Sequence, residues 1–212
     1  YGKSMLLESA RTNFPRVETL LIESTYGAKE DIQPTREEVE TAFIKSVNET
    51  LSEGGKVLIP IPAVGRAQEL MMVIDKYMKS GQMTESPVFM EGMIQEATAI
   101  HEAHPEYLER TLRQKILETN DNPFDSEYFT NIEHADGRDE PLREDSPCII
   151  IATSGMLEGG PVLEYFRNLA PEKRNKILFV SYQVNGTLGR RVMDGARQVS
   201  ILGKEGKIEV VS

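Results

Sequence analysis

The apolar and polar positions of this chain alternate between short uniform runs and longer amphipathic stretches. Uniform runs of four to eight apolar residues are typical of strands buried on both faces, and apolar positions three or four apart are typical of helices. The predicted strands are Val17–Ser24, Lys56–Pro60, Pro87–Met90, Cys148–Ala152, Lys176–Ser181, Val199–Leu202 and Ile208–Val211. The predicted helices are Thr35–Ser52, Gly65–Lys79, Ile94–Leu117 with a break at His104-Pro105, Pro161–Asn168 and Thr187–Asp194.

Helix boundaries and inward faces follow from the same pattern. Thr35-Arg-Glu-Glu38 has the form of a helix N-cap followed by an acidic first turn. Behind it Val39, Phe43, Val47 and Leu51 recur every four residues, which predicts one inward-facing stripe. Leu70, Val73, Ile74 and Tyr77 form a similar stripe on the next helix.

Strands that alternate with amphipathic helices predict a doubly wound α/β fold with a mainly parallel sheet and helices on both faces. The polar stretch from Asn120 to Pro147 is interpreted as a long surface excursion or linker, with no predicted role in ligand contact. A length of 212 residues suits one sizeable α/β domain or two small ones.

Composition limits the cellular setting. The apolar runs are far shorter than the roughly 20 residues that span a bilayer, so no membrane partner is expected. No signal peptide is recognisable at the start. The single cysteine, Cys148, lies in an apolar run, which favours a buried thiol in a reducing, cytoplasmic compartment.

The net charge of −10 argues against a uniformly basic, nucleic-acid-binding surface. The charge is unevenly distributed, however, because residues 127–145 are rich in acid whereas Lys173–Arg197 is rich in Lys and Arg. A local cationic face and ordinary scattered surface charge both fit this composition.

Four predicted strands end in sequences suited to anion binding. In doubly wound sheets a ligand lies beyond the carboxyl ends of the strands, where glycines allow close approach and helix N-termini offer N–H groups. One such glycine turn is usually only a turn; their recurrence with hydroxyl and Arg side chains predicts a track for a polyanion. The candidate residues for phosphate contact are Arg66, Gln68, Ser154, Gly155, Met156, Gly186, Thr187, Gly189 and Arg190.

These strand ends resemble the motifs of one known family in order and spacing. Leu21–Gly27 resembles its IESTYG stretch, Leu58–Glu69 its proline-rich GRxQE block, Ile151–Met156 its A(S/T)xGM turn, and Tyr182–Arg190 its YQxxGTxGR block. The resemblance covers almost the whole chain. It is to the β-CASP domain of metallo-β-lactamase-type RNA nucleases, above all the archaeal homologues of the cleavage and polyadenylation specificity factor endonuclease.

The resemblance implies an RNA-binding lid on a zinc-dependent endoribonuclease of mRNA 3′-end processing or RNA decay, with single-stranded RNA in the cleft. It implies two zinc ions held by the metallo-β-lactamase domain, and Glu23 as the motif A carboxylate that orients a catalytic histidine outside this chain. It assigns residues 1–25 to the metallo-β-lactamase side, 26–203 to the β-CASP domain and 204–212 to a return strand. Further expected partners are the metallo-β-lactamase domain, subunits of a processing complex, or a second copy in a homodimer.

The residues of this chain do not predict a metal site of its own. Its three histidines are His101, His104 and His134, and no Cys, His or carboxylate block completes a zinc site around them. We therefore expect this chain alone to be inactive as a hydrolase.

A non-catalytic RNA-binding or scaffold subunit remains the alternative. Gly2-Lys3-Ser4 as the tail of a phosphate-binding loop is disfavoured, because no candidate strand ends in the required aspartate. A dinucleotide-binding domain is disfavoured because no strand is followed by Gly-x-Gly-x-x-Gly.

Overall fold

The computed structural model describes residues 4–9, 13–119, 121–143, 146–201 and 207–211. A five-stranded parallel sheet, in the order β3-β2-β4-β1-β5, forms its centre. Its strands are β1 (Val57–Pro60), β2 (Val88–Glu91), β3 (Phe129–Ile132), β4 (Ile149–Ala152) and β5 (Lys176–Ile177), and a separate antiparallel pair is β6 (Gln198–Val199) with β7 (Ile208–Glu209). The helices are α1 (Arg36–Ser52), α2 (Arg66–Lys79), α3 (Ile94–Ala103), α4 (Arg110–Thr119), α5 (Asp139–Leu142), α6 (Val162–Leu169) and α7 (Leu188–Met193).

Helices cover both faces of the sheet, as the alternation of elements predicts. Val57 and Ile59 of β1 lie in a core with residues of α1 to α4, whereas Leu58 lies in a second core with α6 and α7. The central strands β1, β2 and β4 are buried along their whole length. Burial on both faces explains why these strands are uniformly apolar rather than alternating. The predicted doubly wound α/β fold is confirmed.

Local sequence determines where the long helices begin. The Thr35 hydroxyl accepts a hydrogen bond from the Glu38 N–H, and the Glu38 carboxylate accepts one from the Thr35 N–H, which forms a capping box for α1. The predicted break at His104-Pro105 is confirmed, because a 3-10 turn over Pro105–Tyr107 separates α3 from α4. The prediction that Val39 faces inward is wrong. Val39 is 50% exposed, because the first turns of α1 extend beyond the core that buries Val47 and Leu51.

The stretch interpreted as a linker, Asn120–Pro147, is in fact part of the sheet. It supplies β3, which pairs in parallel with β2 at the edge, followed by a 3-10 turn over Ala135–Arg138 and by α5. The side chains of β3 are half-buried or exposed. An edge strand of this kind lacks the apolar run by which the central strands were recognised.

Residues 17–24, all of which the structure describes, form no strand, so the strand predicted for Val17–Ser24 is wrong within this chain. The segment is exposed along its whole length, and Leu21 is 97% accessible. A strand requires a neighbouring strand to satisfy its N–H and C=O groups, and no described residue takes that place here. Its apolar side chains are therefore part of the exposed surface rather than of the core.

The remaining boundaries differ only in length. The predicted strand Lys176–Ser181 pairs with β1 only over Lys176–Ile177, with one more bond from the Leu178 N–H to the Leu58 carbonyl. Leu202, the last residue of one predicted strand, lies outside the described residues, as do Gly2 and Lys3. Within the described ranges, no helix is both long and apolar enough to cross a membrane. The division at residues 25 and 203 stays a prediction.

Candidate functional site

The carboxyl ends of β1, β2 and β4 lie level with one another, because Ala152 pairs with both Pro60 and Glu91. The loops that follow these strands and β5 meet beyond this edge of the sheet. A Cβ on Gly155 would lie 2.7 Å from Pro62 Cδ, so the β4 loop packs directly on the β1 loop. We call the surface formed by these loops the carboxyl edge.

The β4 loop is tied to the start of α7 by hydrogen bonds. The Gly189 N–H donates to the Met156 carbonyl at 2.9 Å, and the Leu188 N–H donates to the Glu158 carboxylate at 2.6 Å. Thr187 caps α7, since its hydroxyl oxygen accepts from the Arg190 N–H at 3.3 Å. The sequence-predicted residues Met156, Thr187, Gly189 and Arg190 are thereby brought together.

Two of the predicted glycines serve loop packing rather than an open approach for a ligand. Gly155 and Gly189 are buried, the first against Pro62 and the second against Gln183. Gly186 differs from them, because it is exposed, has a φ of 93° and has open space where a Cβ would stand. The half-buried Ser154 hydroxyl accepts from the Glu158 N–H at 3.2 Å, which shapes the β4 loop.

Gln68 is not available for direct contact with a ligand. It is fully buried; its Nε2 donates to the Ala63 carbonyl and the Thr98 hydroxyl, and its Oε1 accepts from the Gly65 N–H. Gln68 was predicted to contact phosphate, but its hydrogen bonds instead brace the loop after β1 against α2 and α3.

Arg66 is exposed and Arg190 is half-buried, and each has an acidic neighbour on or next to its own helix. Arg66 Nη1 lies 3.0 Å from Glu69 Oε2, and Arg190 Nε lies 2.9 Å from Asp194 Oδ2. The hydrogen bond from Arg190 to Asp194 raises the pKa of the guanidinium above its ordinary value, so Arg190 stays charged. Exposed pairs of this kind contribute little stability, so a phosphate can replace the carboxylate at small cost.

Glu23 lies on the exposed segment that leads towards the carboxyl edge. Its carboxylate accepts from the Thr25 N–H at 3.0 Å, and this hydrogen bond lowers the pKa of the carboxyl. Three residues later the Tyr26 ring packs edge-on against Tyr182, with centroids 5.7 Å apart. The Glu23 segment is thus attached at Tyr182, next to the loop that carries Thr187 and Arg190.

Two features at this edge were missed by sequence reasoning. The Gln183 amide, 1% exposed, donates from Nε2 to the Gly155 carbonyl at 2.9 Å and so connects the β5 loop to the β4 loop. The Glu91 carboxylate, at the end of β2, accepts hydrogen bonds from both the Arg138 guanidinium and the Tyr165 hydroxyl. The available signal for Gln183 was its place in the YQxxGTxGR block, whereas a carboxylate at the end of an apolar run gives a weak signal in sequence alone.

The described residues do not fit a zinc ion. No group of three or more His, Cys, Asp or Glu side chains among them could hold a metal. His101 Nδ1 lies 2.7 Å from the Ala97 carbonyl, and His104 Nδ1 lies 3.3 Å from Glu106. His101 of α3 and His104 at its C-cap therefore have partners on their own segment.

Comparison with known proteins shows which family model and which relatives this chain is similar to. A family model described as Beta-Casp domain matches residues 67–192, more than half of the chain. The chain is 79% identical over all 212 residues to the transcription termination factor FttA of Cenarchaeum symbiosum, of which it covers 33%. It is 53% identical over 206 residues to FttA of Pyrococcus abyssi, and 51% identical over 211 residues to FttA of Methanocaldococcus jannaschii. It spans about a third of the length of these relatives.

Proposed function

Because this chain belongs to the Beta-Casp domain family, we propose that it is the RNA-binding domain of a longer, metal-dependent RNA-cleaving nuclease that acts in transcription termination or RNA processing. The observation that carries the proposal is the 79% identity, along the entire chain, to a protein named as a transcription termination factor. The carboxyl edge supports it, because several strand-end loops with hydroxyl and arginine side chains lie side by side there.

For an RNA backbone to bind at this edge, Arg190 has to exchange the Asp194 carboxylate for a phosphate. The Arg190 side chain is 33% exposed and Asp194 is 56% exposed, so both remain in contact with water. A phosphate oxygen replaces the Asp194 carboxylate as acceptor, and the guanidinium fork suits it equally well. The local cation therefore binds RNA on a domain whose net charge is −10.

Glu23 and the exposed apolar segment around it face a second domain in this proposal. Phe14, Leu20 and Leu21 are 65%, 68% and 97% exposed. Apolar surface of this extent on a soluble domain marks an interaction site. The covering partner is a metallo-β-lactamase domain of the same protein, and RNA lies between it and the carboxyl edge.

The hydrolytic chemistry would be supplied by zinc ions held in that other domain. The residues of this chain do not fit a zinc site, and no catalytic step is assigned to them apart from orientation by Glu23. Its hydroxyl, amide and arginine groups bind and orient the RNA backbone.

The test compares this chain with a longer protein that contains it and the flanking metallo-β-lactamase sequence. We expect the longer protein to cleave single-stranded RNA with zinc, the present chain to bind RNA without cleaving it, and Glu23→Ala to slow cleavage without weakening RNA binding. Glu30→Ala, on the same exposed segment, is the matched control. A longer protein that binds RNA but never cleaves it would instead indicate a scaffold subunit, and cleavage by the present chain alone would contradict the division of roles.

A further inference from the structure

The side chain of Gln183 lies between two loops and the first turn of α7 at the carboxyl edge. It is 1% exposed, and its Nε2 donates to the Gly155 carbonyl at 2.9 Å and to the Ser181 carbonyl at 3.1 Å. On its other side, a Cβ on Gly189 would overlap Gln183 Oε1. The amide therefore fills the space between the β4 loop, the β5 loop and the first turn of α7.

The orientation of this amide follows from its neighbours. Only the NH₂ group can donate to two carbonyl oxygens, and a flipped amide would bring Oε1 against both of them. In the observed orientation Oε1 accepts no hydrogen bond from any described residue. The hydrogen bonds to the Gly155 and Ser181 carbonyls thus depend on one buried, uncharged NH₂ group. Neither a carboxylate nor an apolar side chain of similar size can donate these two hydrogen bonds.

The loops held by Gln183 carry the groups assigned to RNA. Gly155 is flanked by Ser154 and Met156, and Met156 accepts the Gly189 N–H. Arg190 follows Gly189 directly. A shift of the β4 loop away from Gln183 would therefore move the hydroxyl of Ser154 relative to the guanidinium of Arg190, the two groups proposed to contact the same RNA backbone.

We propose that Gln183 is a positioning residue for RNA binding: its buried amide sets the distance between the β4 loop and α7 so that both contact the same RNA backbone. This inference rests on the function proposed above and specifies how the site is held. Gln183 itself does not contact RNA, since it is enclosed by the loops that it connects.

The test replaces the amide by a group that donates only when protonated. In Gln183→Glu, the introduced carboxyl can donate to the Gly155 carbonyl below its pKa, and above it a carboxylate faces two carbonyl oxygens. Burial disfavours the charged form and raises the pKa of such a carboxyl towards neutrality. The charged or titratable groups on the β4 loop, the β5 loop and α7 with its C-cap are Glu158, Tyr182, Arg190, Arg191 and Asp194. None of them hydrogen-bonds the Gln183 side chain among the described residues.

Affinity for a single-stranded oligouridylate is measured by fluorescence anisotropy on the longer protein, at about pH 5 and about pH 8, each value relative to wild type at that pH. We expect Gln183→Glu to bind like wild type at the lower pH and about tenfold more weakly at the higher pH, the usual effect of one lost buried hydrogen bond. Gln183→Met should bind about tenfold more weakly at both pH values. Gln114→Glu, which adds the same charge on the exposed surface of α4, should match wild type throughout.

Circular dichroism at the assay temperature separates positioning from simple unfolding. A Gln183→Glu protein that stays folded at the higher pH while its affinity falls supports the proposal. Loss of affinity in parallel with loss of secondary structure would overturn it, as would an affinity that does not depend on pH relative to wild type. A wild-type protein that binds no RNA would overturn the proposed function and this inference together, whereas wild-type binding with an unaffected Gln183→Met variant would overturn this inference alone.

Discussion

At the carboxyl edge, individual residues owe their conformation to neighbouring loops more than to their own elements. Gly155 and Gly189 were predicted to let a ligand approach the backbone closely. The backbone is closely approached at both positions, but by another loop of the same chain. Sequence alone identifies the glycine and the need for space. It cannot identify the occupant, because that depends on which strands become neighbours.

Gly189→Ala should destabilise the fold, because its Cβ would overlap the Gln183 amide and lie 3.0 Å from the Met156 carbonyl oxygen. Overpacking of this kind costs about 1–3 kcal/mol in the free energy of unfolding, which urea unfolding would measure. Gly159→Ala is the matched control, since a Cβ there meets nothing within 4 Å. Equal stabilities of the two variants would show that the loops move apart freely.

Cys148 offers a residue-scale test of core burial. Burial raises the pKa of its thiol to about 11, so at pH 8 almost none of it is the reactive thiolate. We expect native protein to react with a thiol reagent on the order of a hundredfold more slowly than protein unfolded in urea. Equal rates would mean that the β4 core opens on the timescale of labelling.

At the scale of elements, burial decides which strands the sequence reveals. The central strands were predicted almost to the residue, because burial on both faces makes them uniformly apolar. β3 was missed because its edge position leaves Thr130 and Asn131 exposed. Val17–Ser24 has the composition of a strand, yet it has no neighbouring strand among the described residues. Strand pairing, unlike strand propensity, is a property of the assembled sheet.

A half-buried ion pair attaches the β3–α5 excursion to the sheet, with the Arg138 side chain 24% and the Glu91 side chain 9% exposed. Arg138 donates from Nε to both oxygens of Glu91, which also accepts from the buried Tyr165 hydroxyl at 2.6 Å. Arg138→Ala should lower the free energy of unfolding by about 2–3 kcal/mol, because Glu91 is then left buried without its counter-charge. Arg143→Ala, exposed on the same excursion, should change it by less than about 0.5 kcal/mol. Thermal unfolding of both variants measures the difference, and equal midpoints would contradict a structural role for the pair.

At the scale of the whole molecule, an exposed apolar segment coexists with a net charge of −10. The charge opposes association in general, whereas the apolar side chains around Leu21 favour it locally. Both fit a domain that docks through one surface onto a larger protein. The pairing of Arg190 with Asp194 was not predicted, although the two residues stand four apart on the predicted helix Thr187–Asp194.

The isolated chain should therefore self-associate through this segment. Leu21→Lys should reduce the rise of apparent mass with concentration in sedimentation or light-scattering experiments, since it places a charge in the exposed apolar surface. Ile100→Lys is the matched control, because Ile100 is 62% exposed on α3, away from this segment. Equal effects of the two substitutions would show that association is non-specific.

The central claim is that the carboxyl edge binds an RNA backbone through Arg190, and the salt dependence of RNA affinity tests it most directly. For Arg190→Ala the slope of log affinity against log salt should fall by about 0.7–1, the value for one lost phosphate contact. Asp194→Asn should strengthen binding by removing the competing carboxylate, and Arg110→Ala, at the start of α4 on the opposite face, should leave the slope unchanged. An unchanged slope in Arg190→Ala would remove Arg190 from the RNA path and contradict the account.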